Sequence, residues 1–324
     1  MARIIGNDLW PRHAQGQALQ NLAVILRDEP DYPGCRKLFV LNRMFDAQTE
    51  AEATQMVLAR GHALVTLPFV PADYAALSCD TKDFGGESYF TGPDFAALSE
   101  SSRSQQRLWA CADKVRYVMN VNGARNAALD WGRAQGGWTL VLDGSCFVAP
   151  EAWERLRRDM AGPAALRYLI VSMQRLASNA EALTARPVPN LTEEPQIAFH
   201  PAAAGRFDEV YPYGLRDKVA LLTAIGVPGA WDHWGDLPWL PKPAARLPDR
   251  HCYAHASTSV FRLTSGVGGG RLEQSGAQKR RYQSRNAAIF RTLAMLDDRY
   301  AVPDRDRARQ IMGLPDTITE EASD

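Results

Sequence analysis

The sequence predicts an α/β protein with a mostly parallel sheet flanked by helices. Three short apolar runs between residues 3 and 67 are each bounded by turn-forming residues, as is typical of buried strands. Two segments with helical spacing of apolar residues separate these runs. Alternation of strand and helix is the pattern of a doubly wound parallel sheet. A further apolar run, 138–142, ends abruptly at Asp143 and supplies a central strand.

Turn formers and helix caps delimit the elements of the first half. The first strand breaks at Gly6 and Asn7, and the helix that follows carries three leucines on one face. Thr49 is predicted to cap the second helix, which acidic residues in the first turn also favour. In order, the predicted elements are strand 3–8, helix 17–27, strand 37–42, helix 49–60 and strand 62–67.

Regular spacing fades between residues 71 and 104, where glycine pairs and serines are frequent. An irregular segment of this length in a compact domain predicts either a functional lid or a disordered segment. Helical spacing returns over 117–133, just before the central strand.

The second half continues the alternation and adds one unusual loop. Between Pro228 and Pro243, three tryptophans lie among aspartates and a histidine. Aromatic rings beside carboxylates suit a sugar ring, although buried aromatic residues are equally typical of a structural plug. The predicted elements are helix 151–160, strands 166–172 and 196–200, a helix from 213 to 222 that stops at Gly226, strand 253–263 and helix 280–296.

The composition indicates a folded protein and narrows the classes of partner. In 324 residues, 37 Lys and Arg balance 37 Asp and Glu, so no global charge favours nucleic acid. The five cysteines are odd in number and lack CxxC spacing, which predicts free thiols in a reducing compartment. No stretch of about 18 apolar residues occurs, so we expect a cytoplasmic protein without a transmembrane segment, with peripheral membrane contact left open.

Chemistry is predicted where the central strand meets the preceding helix. Asp143 lies at the carboxyl end of a buried strand, the edge at which open α/β sheets bind ligands. A carboxylate followed by Gly144 suits a divalent cation that bridges two phosphates. The start of the preceding helix carries Asn122, Arg125 and Asn126, whose donors favour an anionic ligand. Helix capping by the asparagines and a strand-end turn at the aspartate are the alternative interpretations.

Two short motifs resemble glycosyltransferases of the GT-A fold, most closely family 2. Residues 122–126, Asn-Gly-Ala-Arg-Asn, are similar to the helix start that precedes the metal-binding strand in that family. Residues 142–145, Leu-Asp-Gly-Ser, occupy the place of its Asp-x-Asp motif. The resemblance covers roughly the first half of the chain by order of elements. It implies a nucleoside-diphosphate sugar as donor, a saccharide or other hydroxyl acceptor, and Mn²⁺ or Mg²⁺ bound by Asp143.

We therefore expect one GT-A-like domain with a nucleotide-sugar (donor) half at 1–150 and an acceptor half at 151–324. The irregular segment 71–104 is the candidate lid. Ser145 departs from the family pattern, because a hydroxyl replaces the second carboxylate. The family often recruits a late histidine to the metal, and His255 is the candidate. In a strand, it and the other nearby histidine, four residues earlier, would lie about 13 Å apart, so at most one binds the ion.

An inverting transferase needs a carboxylate that accepts the proton of the acceptor hydroxyl. The acceptor half offers Glu193, Glu194, Asp217 and Asp232. Asp232 is favoured, since the neighbouring tryptophans suit a sugar and would raise its pKa by partial burial. In the donor half, Asp46 is interpreted either as an acceptor for ribose or base, or as a helix cap.

The predicted function is sugar transfer from a nucleoside diphosphate, plausible in surface polysaccharide assembly. One alternative is a sugar nucleotidyltransferase, which would carry a glycine-rich phosphate loop after the first strand, where this chain has Gly6-Asn-Asp-Leu. The other is a non-catalytic carbohydrate-binding relative, without metal-dependent affinity for a nucleotide. A basic cluster at the start of the late helix is either a solvated face or a diphosphate clamp; it consists of Lys279, Arg280, Arg281 and Arg285.

Overall fold

The computed structural model describes residues 1–190, 192–229, 231, 237–242, 247–264 and 277–315. Its strands are β1 (Ala2–Ile5), β2 (Leu38–Asn42), β3 (Ala63–Leu67), β4 (Thr139–Asp143), β5 (Cys146–Phe147), β6 (Tyr168–Arg175), β7 (Gln196–Phe199) and β8 (Tyr253–Arg262). They form one eight-stranded sheet in the order β3-β2-β1-β4-β7-β6-β8-β5. Strands β1 to β4 are parallel to one another. Strand β7 is antiparallel to β4 and β6, β8 is parallel to β6, and β5 is antiparallel to β8. The predicted α/β class with a mostly parallel sheet is therefore confirmed.

Helices cover both faces of the sheet and one end of it. They are α1 (Gln17–Asp28), α2 (Ala47–Ala59), α3 (Pro71–Ala75), α4 (Pro93–Ala96), α5 (Glu100–Ala110), α6 (Ala112–Met119), α7 (Val121–Ala134), α8 (Pro150–Met160), α9 (Val219–Ile225), α10 (Ala277–Arg299) and α11 (Arg305–Met312). Short 3₁₀ turns lie at Lys82–Phe84, Glu87–Thr91 and Asn179–Leu183. Most predicted strands and helices are present, with ends that differ by a few residues.

Alternating side chains of each strand enter two separate cores, because successive residues of a strand point to opposite faces. In β2, Phe39 and Leu41 pack with α1, α2 and α8, whereas Leu38 and Val40 pack with α7 and α9. All four side chains are almost completely buried. A sheet covered on both faces explains why these strands read as continuous apolar runs rather than as alternating ones.

The order of strands reverses beside β1. The chain passes from β1 to β2 on one side, whereas β4 lies on the other, so that Ile4 pairs with both Val40 and Asp143. In open α/β sheets, ligands bind in the crevice beyond the carboxyl ends of the strands at such a reversal. Asp143, the last residue of β4, lies at this crevice.

Residues 71–104 form short helices that belong to a third core. Tyr74, Phe90 and Phe95 are buried there against residues of α5, α6, α10 and α11. The segment is therefore neither irregular nor disordered, because its apolar side chains pack against helices more than 170 residues later in the chain, as Tyr74 does through hydrogen bonds to Leu293 and Asp297. Whether these helices act as a lid stays a prediction.

Two local features differ from the prediction. The predicted helix 117–133 is two helices, because Asn120 adopts a left-handed conformation (φ 41°) and ends α6 before α7 begins. The cap of α2 is Asp46, whose carboxylate accepts from the backbone N–H of Thr49 at 2.7 Å. An aspartate three residues earlier satisfies the same helix terminus, so the interpretation of Thr49 as the cap was wrong.

Gly144 contacts the backbone of β1. A Cβ atom at this position would lie 2.5 Å from the carbonyl oxygen of Ile4. We expect Gly144→Ala to lower the free energy of unfolding by about 1–3 kcal/mol, since β1 and β4 must separate to admit the methyl group. Urea unfolding measures the change, with Gly137→Ala as the control, because a Cβ there meets no atom within 4 Å. Equal stability of the two variants would contradict this close contact.

A disulfide joins Cys79 and Cys111, whose Cα atoms lie 4.4 Å apart. This corrects the prediction that all five cysteines are thiols, which Cys35, Cys146 and Cys252 are. The pairing joins the loop after α3 to the residue between α5 and α6, 32 residues later, a contact that cysteine spacing does not reveal. Disulfides are typical of oxidising compartments, so the cysteines no longer support a reducing one. Among the helices of the described residues, none has the length and apolar character needed to cross a bilayer.

Candidate functional site

Asp143 is the centre of a charged cluster at the strand reversal. Its Oδ1 accepts from Arg125 Nη2 at 3.1 Å, and its Oδ2 lies 3.2 Å from Lys218 Nζ. Gln196, the first residue of β7, donates from Nε2 to Oδ2 at 3.0 Å and accepts from the backbone N–H of Asp143 at 3.2 Å. Both carboxylate oxygens therefore already bind protein donors, although 27% of the Asp143 side chain is exposed.

Arg125 lies behind Asp143 and is engaged by protein groups. Its Nη1 donates to Asp217 Oδ2 and to Asn122 Oδ1, each at 2.9 Å. The guanidinium carbon lies 5.4 Å from the centre of the Phe207 ring. The side chain is only 5% exposed. Arg125 thus positions the aspartate, and the predicted direct contact with phosphate stays untested.

The two predicted amide donors, Asn122 and Asn126, hold the segment 207–218 against α7. Asn122 Nδ2 donates to two carbonyl oxygens of this segment, at 2.8 and 2.9 Å. Asn126 both donates to and accepts from the backbone of Phe207, at 2.8 and 3.0 Å. Since the segment carries Lys218, these amides place a cation beside Asp143. Their buried amide groups thus bind another segment of the protein, which neither ligand binding nor helix capping had predicted.

The pKa of Asp143 is set by opposing effects. Burial alone would raise it, but the positive charges of Lys218 and Arg125 hold the pKa of the carboxyl well below its usual range. Arg262, at the end of β8, lowers the pKa further. The ionised form is therefore bound more tightly in the folded state, which contributes stability above the unfolded pKa and loses it as pH falls.

We expect Asp143→Asn to reduce the free energy of unfolding by about 3 kcal/mol near neutral pH, because the buried cations Arg125 and Lys218 each lose one of their two carboxylate partners. Urea unfolding from about pH 7 to about pH 3 should show this difference shrinking only below about pH 4, where the unfolded carboxyl takes up its proton. Asp130→Asn, which removes an exposed pair with Arg206, serves as the control and should cost below about 1 kcal/mol. A difference that stays constant across this range would contradict the interpretation.

Glu194 lies across Lys218 from Asp143. Lys218 Nζ is 3.3 Å from Glu194 Oε1. Burial raises the pKa of Glu194, and the nearby carboxylates of Asp217 and Asp143 raise it further, against the opposite effect of Lys218 and Arg125. About a third of its side chain, 34%, remains exposed. A partly exposed carboxyl with a raised pKa has the properties of a general base.

The other carboxylates proposed for that role have different surroundings. Asp217 accepts from Arg125 and from the backbone N–H of Gly214 at 3.3 Å. Glu193 pairs with Arg175. Asp232, the favoured candidate, lies outside the described residues. Of the carboxylates considered, Glu194 is therefore the described one that is both partly exposed and joined to Asp143 through a shared cation.

Two arginines contact Tyr213, which belongs to the segment 207–218. Arg12 Nη1 donates to the Tyr213 hydroxyl at 3.0 Å, and the Arg285 guanidinium carbon lies 5.4 Å from the centre of the Tyr213 ring. Arg262, the last residue of β8, pairs with Cys146, the first residue of β5, three residues after Asp143. We call Arg12, Arg262 and Arg285 the arginine triad.

A pocket of about 250 Å³ opens beside this cluster. Its walls include Tyr213, Asn122, Tyr117 and Arg43, together with the first residues of α7. The Arg43 guanidinium carbon lies 3.9 Å from the centre of the Tyr117 ring. The volume is below the usual range for a whole drug-sized ligand, so it suits one part of a larger molecule, such as a base or a ribose.

The residues around Asp143 do not form a ready site for a divalent cation. Each oxygen of Asp143 already accepts from protein donors. Three strand steps separate the exposed His255 from β4, through its partners Ile170 and Ile197, which is about 14 Å at the usual strand spacing. The structure thus does not bring the two predicted ligands together. Across the described ranges, no three His, Cys, Asp or Glu side chains are grouped to hold a metal ion.

The remaining predicted features have structural contacts. Asp46 caps α2, and its pKa is lowered by the hydrogen bond from the backbone of Thr49, which fits the capping alternative. Trp231 is buried in the core beside α7 and α9. Trp239 packs with Phe84 and Trp109 at ring distances of 5.8 and 6.1 Å. Two of the three tryptophans are thus packed as a plug, and the third, at 234, lies outside the described residues.

Sequence reasoning missed Lys218 and Gln196 as partners of Asp143. Gln196 was read only as the start of a strand, and Lys218 only as part of a helix. A lysine and a glutamine in otherwise apolar buried segments were the available signal, since such residues are rarely buried without a partner. No family model, curated protein or solved structure matches this chain. Function therefore rests on the geometry of the site.

Proposed function

We propose that this chain is a glycosyltransferase that moves a sugar from a nucleoside diphosphate to a hydroxyl acceptor. The observation that carries the proposal is the position of Asp143 at the strand reversal, where it pairs with Lys218 and with Arg125. Arg125 in turn donates to Asn122, which lines the pocket. The crevice at a reversal is where α/β sheets bind nucleotides. Parallel strands in the order β3-β2-β1-β4, with helices on both faces, support a GT-A-like arrangement.

The donor half would supply most of the pocket for the base and ribose. Tyr117 and Arg43 offer an aromatic face and a cation, and α7 begins at the pocket wall without an acidic residue in its first turn. The unsatisfied N–H groups of a helix start favour an anion. Tyr213, from the acceptor half, lines the same pocket, so a bound donor would touch both halves of the domain.

Glu194 would act as the general base of an inverting displacement. Its carboxylate would accept the proton of the acceptor hydroxyl while that oxygen forms a bond to the anomeric carbon. The bond from the anomeric carbon to the diphosphate would break on the opposite face, and its electron pair would leave with the diphosphate. Lys218, held between Glu194 and Asp143, would fix the orientation of the base.

A divalent cation supplies charge neutralisation for a leaving diphosphate in sites that bind one. Because the oxygens of Asp143 are already hydrogen-bonded, we derive no step through such an ion. The predicted requirement for Mn²⁺ or Mg²⁺ is therefore tested by measuring nucleotide binding and sugar transfer with and without the ion. Surface polysaccharide assembly stays the proposed setting of the reaction.

Thermal unfolding with a panel of nucleoside diphosphates, each with and without Mn²⁺ or Mg²⁺, tests the proposal. A ligand that binds only the folded state stabilises it by about 2.7 kcal/mol at a hundred times its Kd, so one nucleotide should raise the melting temperature. The matching nucleotide sugar should then be consumed in the presence of a saccharide acceptor. Consumption only together with a nucleoside triphosphate and a sugar phosphate would indicate a nucleotidyltransferase. Stabilisation by saccharides alone would indicate a carbohydrate-binding protein.

A further inference from the structure

The arginine triad concentrates positive charge beside the pocket. Arg12 comes from the loop after β1, Arg262 from the end of β8, and Arg285 from α10. Tyr213 joins two of them, through a hydrogen bond of 3.0 Å to Arg12 and a ring contact of 5.4 Å with Arg285. Arg285 is further fixed by donating to the carbonyl oxygen of Gly214 at 3.0 Å and by stacking on Tyr282 at 4.5 Å. The charges of Arg262 and Arg285 both act on Arg12, so three elements distant in sequence bring guanidinium groups near one another.

Carboxylates offset only part of the charge of the triad. Burial alone would lower the pKa of Arg262, but the charges of Asp143 and Glu193 raise it. Among the described residues, the ion pairs of the cluster are made by Arg125 and Lys218, which match Asp143, Asp217 and Glu194. None of the three triad guanidinium groups forms an ion pair with a described carboxylate. Burial lowers the pKa of Arg12, and the like charges of Arg262 and Arg285 lower it further.

Like charges held together without partners are unfavourable in the free protein. A ligand with two or more negative charges would relieve that repulsion, and guanidinium groups bind phosphate oxygens in pairs with strong hydrogen bonds. Asp143 and Glu193 offset part of the charge of Arg262, but among the described residues neither forms an ion pair with Arg12 or Arg285. The remaining positive charge of the triad would therefore attract an anion that enters from the pocket.

We propose that Arg12, Arg262 and Arg285 form a binding site for a diphosphate group, which they hold without a divalent cation. The identification of this diphosphate with that of the sugar donor rests on the proposed function, whereas binding of the diphosphate itself does not. During transfer, the triad would stabilise the negative charge that develops on the leaving diphosphate. This assigns to arginine side chains the charge neutralisation that the sequence resemblance implied for a metal.

Isothermal titration of the full chain with inorganic pyrophosphate, in buffer containing EDTA, tests the site. The wild type should bind, and Arg12→Met and Arg285→Met should each weaken binding about tenfold to a hundredfold, since each removes hydrogen bonds between charged groups. Arg291→Met is the matched control, because Arg291 is an exposed arginine on the same helix α10 as Arg285. Its affinity should equal that of the wild type. Thermal unfolding checks that each variant is folded. If Arg12→Met is not folded, Arg12→Lys is used at that position.

The proposal is overturned if the wild type binds pyrophosphate only after Mg²⁺ or Mn²⁺ is added, or if the control variant weakens binding as much as the triad variants do. Its failure is distinguishable from failure of the proposed function. Loss of sugar transfer in EDTA would support the proposed transferase function and contradict the metal-free diphosphate site. Pyrophosphate binding that depends on the triad, without consumption of any nucleotide sugar, would support the diphosphate site and contradict the transferase function.

Discussion

Replacing Glu194 by glutamine should lower kcat for sugar transfer about a hundredfold to ten-thousandfold, while leaving donor binding nearly unchanged. The amide keeps the shape of the side chain but accepts no proton, so the loss reports general-base catalysis. Steady-state turnover of the nucleotide sugar identified by thermal unfolding measures kcat, and titration with the nucleoside diphosphate measures binding. Lys218 keeps its contact with Asp143 in this variant, which preserves the charged cluster.

The neighbouring residue provides the control. Glu193→Gln removes a carboxylate of the same size that pairs with Arg175 instead of Lys218, and it should retain turnover within about threefold of the wild type. Since burial raises the pKa of Glu194, the rate of the wild type should rise with pH through a value above that of an ordinary glutamate. Full turnover by the Glu194→Gln variant would show that another group accepts the proton. A pH profile of this variant that equals that of the wild type would show the same.

Replacing Lys114 by methionine should lower the free energy of unfolding by about 3–5 kcal/mol, the largest effect on stability that we expect from a single substitution here. Lys114 Nζ lies 2.9 and 3.0 Å from the two carboxylate oxygens of Asp297, and both side chains are fully buried. The Tyr74 hydroxyl donates to the same carboxylate at 2.6 Å. Without the lysine, a buried negative charge would keep only one strong donor, and urea unfolding would register the loss.

The double variant Lys114→Met/Asp297→Leu separates loss of the pair from loss of packing. An apolar pair of similar volume leaves no fully buried charge, because Asp304, the second carboxylate near Lys114, is partly exposed. Most of the lost stability should therefore return. Burial also raises the pKa of Asp297, so the single variant should recover part of its stability in mild acid, where the carboxyl becomes neutral. A single variant that loses less than about 1 kcal/mol would show that the buried pair contributes little.

The fold was predictable where local pattern and burial coincide. Strands buried on both faces gave continuous apolar runs, so β2, β3 and β4 were found within one or two residues. The segment 71–104 was missed because its helices are only four to eleven residues long, too short for a clear period. Asn120 was missed for a related reason, since the left-handed conformation of one residue leaves no trace in apolar spacing.

The candidate site was predictable at Asp143 but not around it. A carboxylate at the end of a buried strand is visible in the sequence, whereas its partners Gln196 and Lys218 lie 53 and 75 residues away. Contacts at that separation depend on the antiparallel insertion of β7 beside β4, which no local pattern specifies. His255 was assigned from the resemblance alone, and its place in β8 follows from pairing with β6.

The same strand order bears on how the chain folds during synthesis. The unit from β1 to β3 pairs residues only 25 to 36 positions apart, so its pairings form early as a chain emerges from its N-terminus. Strand β4 joins β1 only after some 140 residues, and Lys218 reaches Asp143 later still. The charged cluster is therefore assembled late, on a sheet that already exists. In a truncated or stalled chain, the β1 edge of the β1–β3 unit would be exposed and unpaired. Such a chain would bind chaperones and would lack the charged cluster.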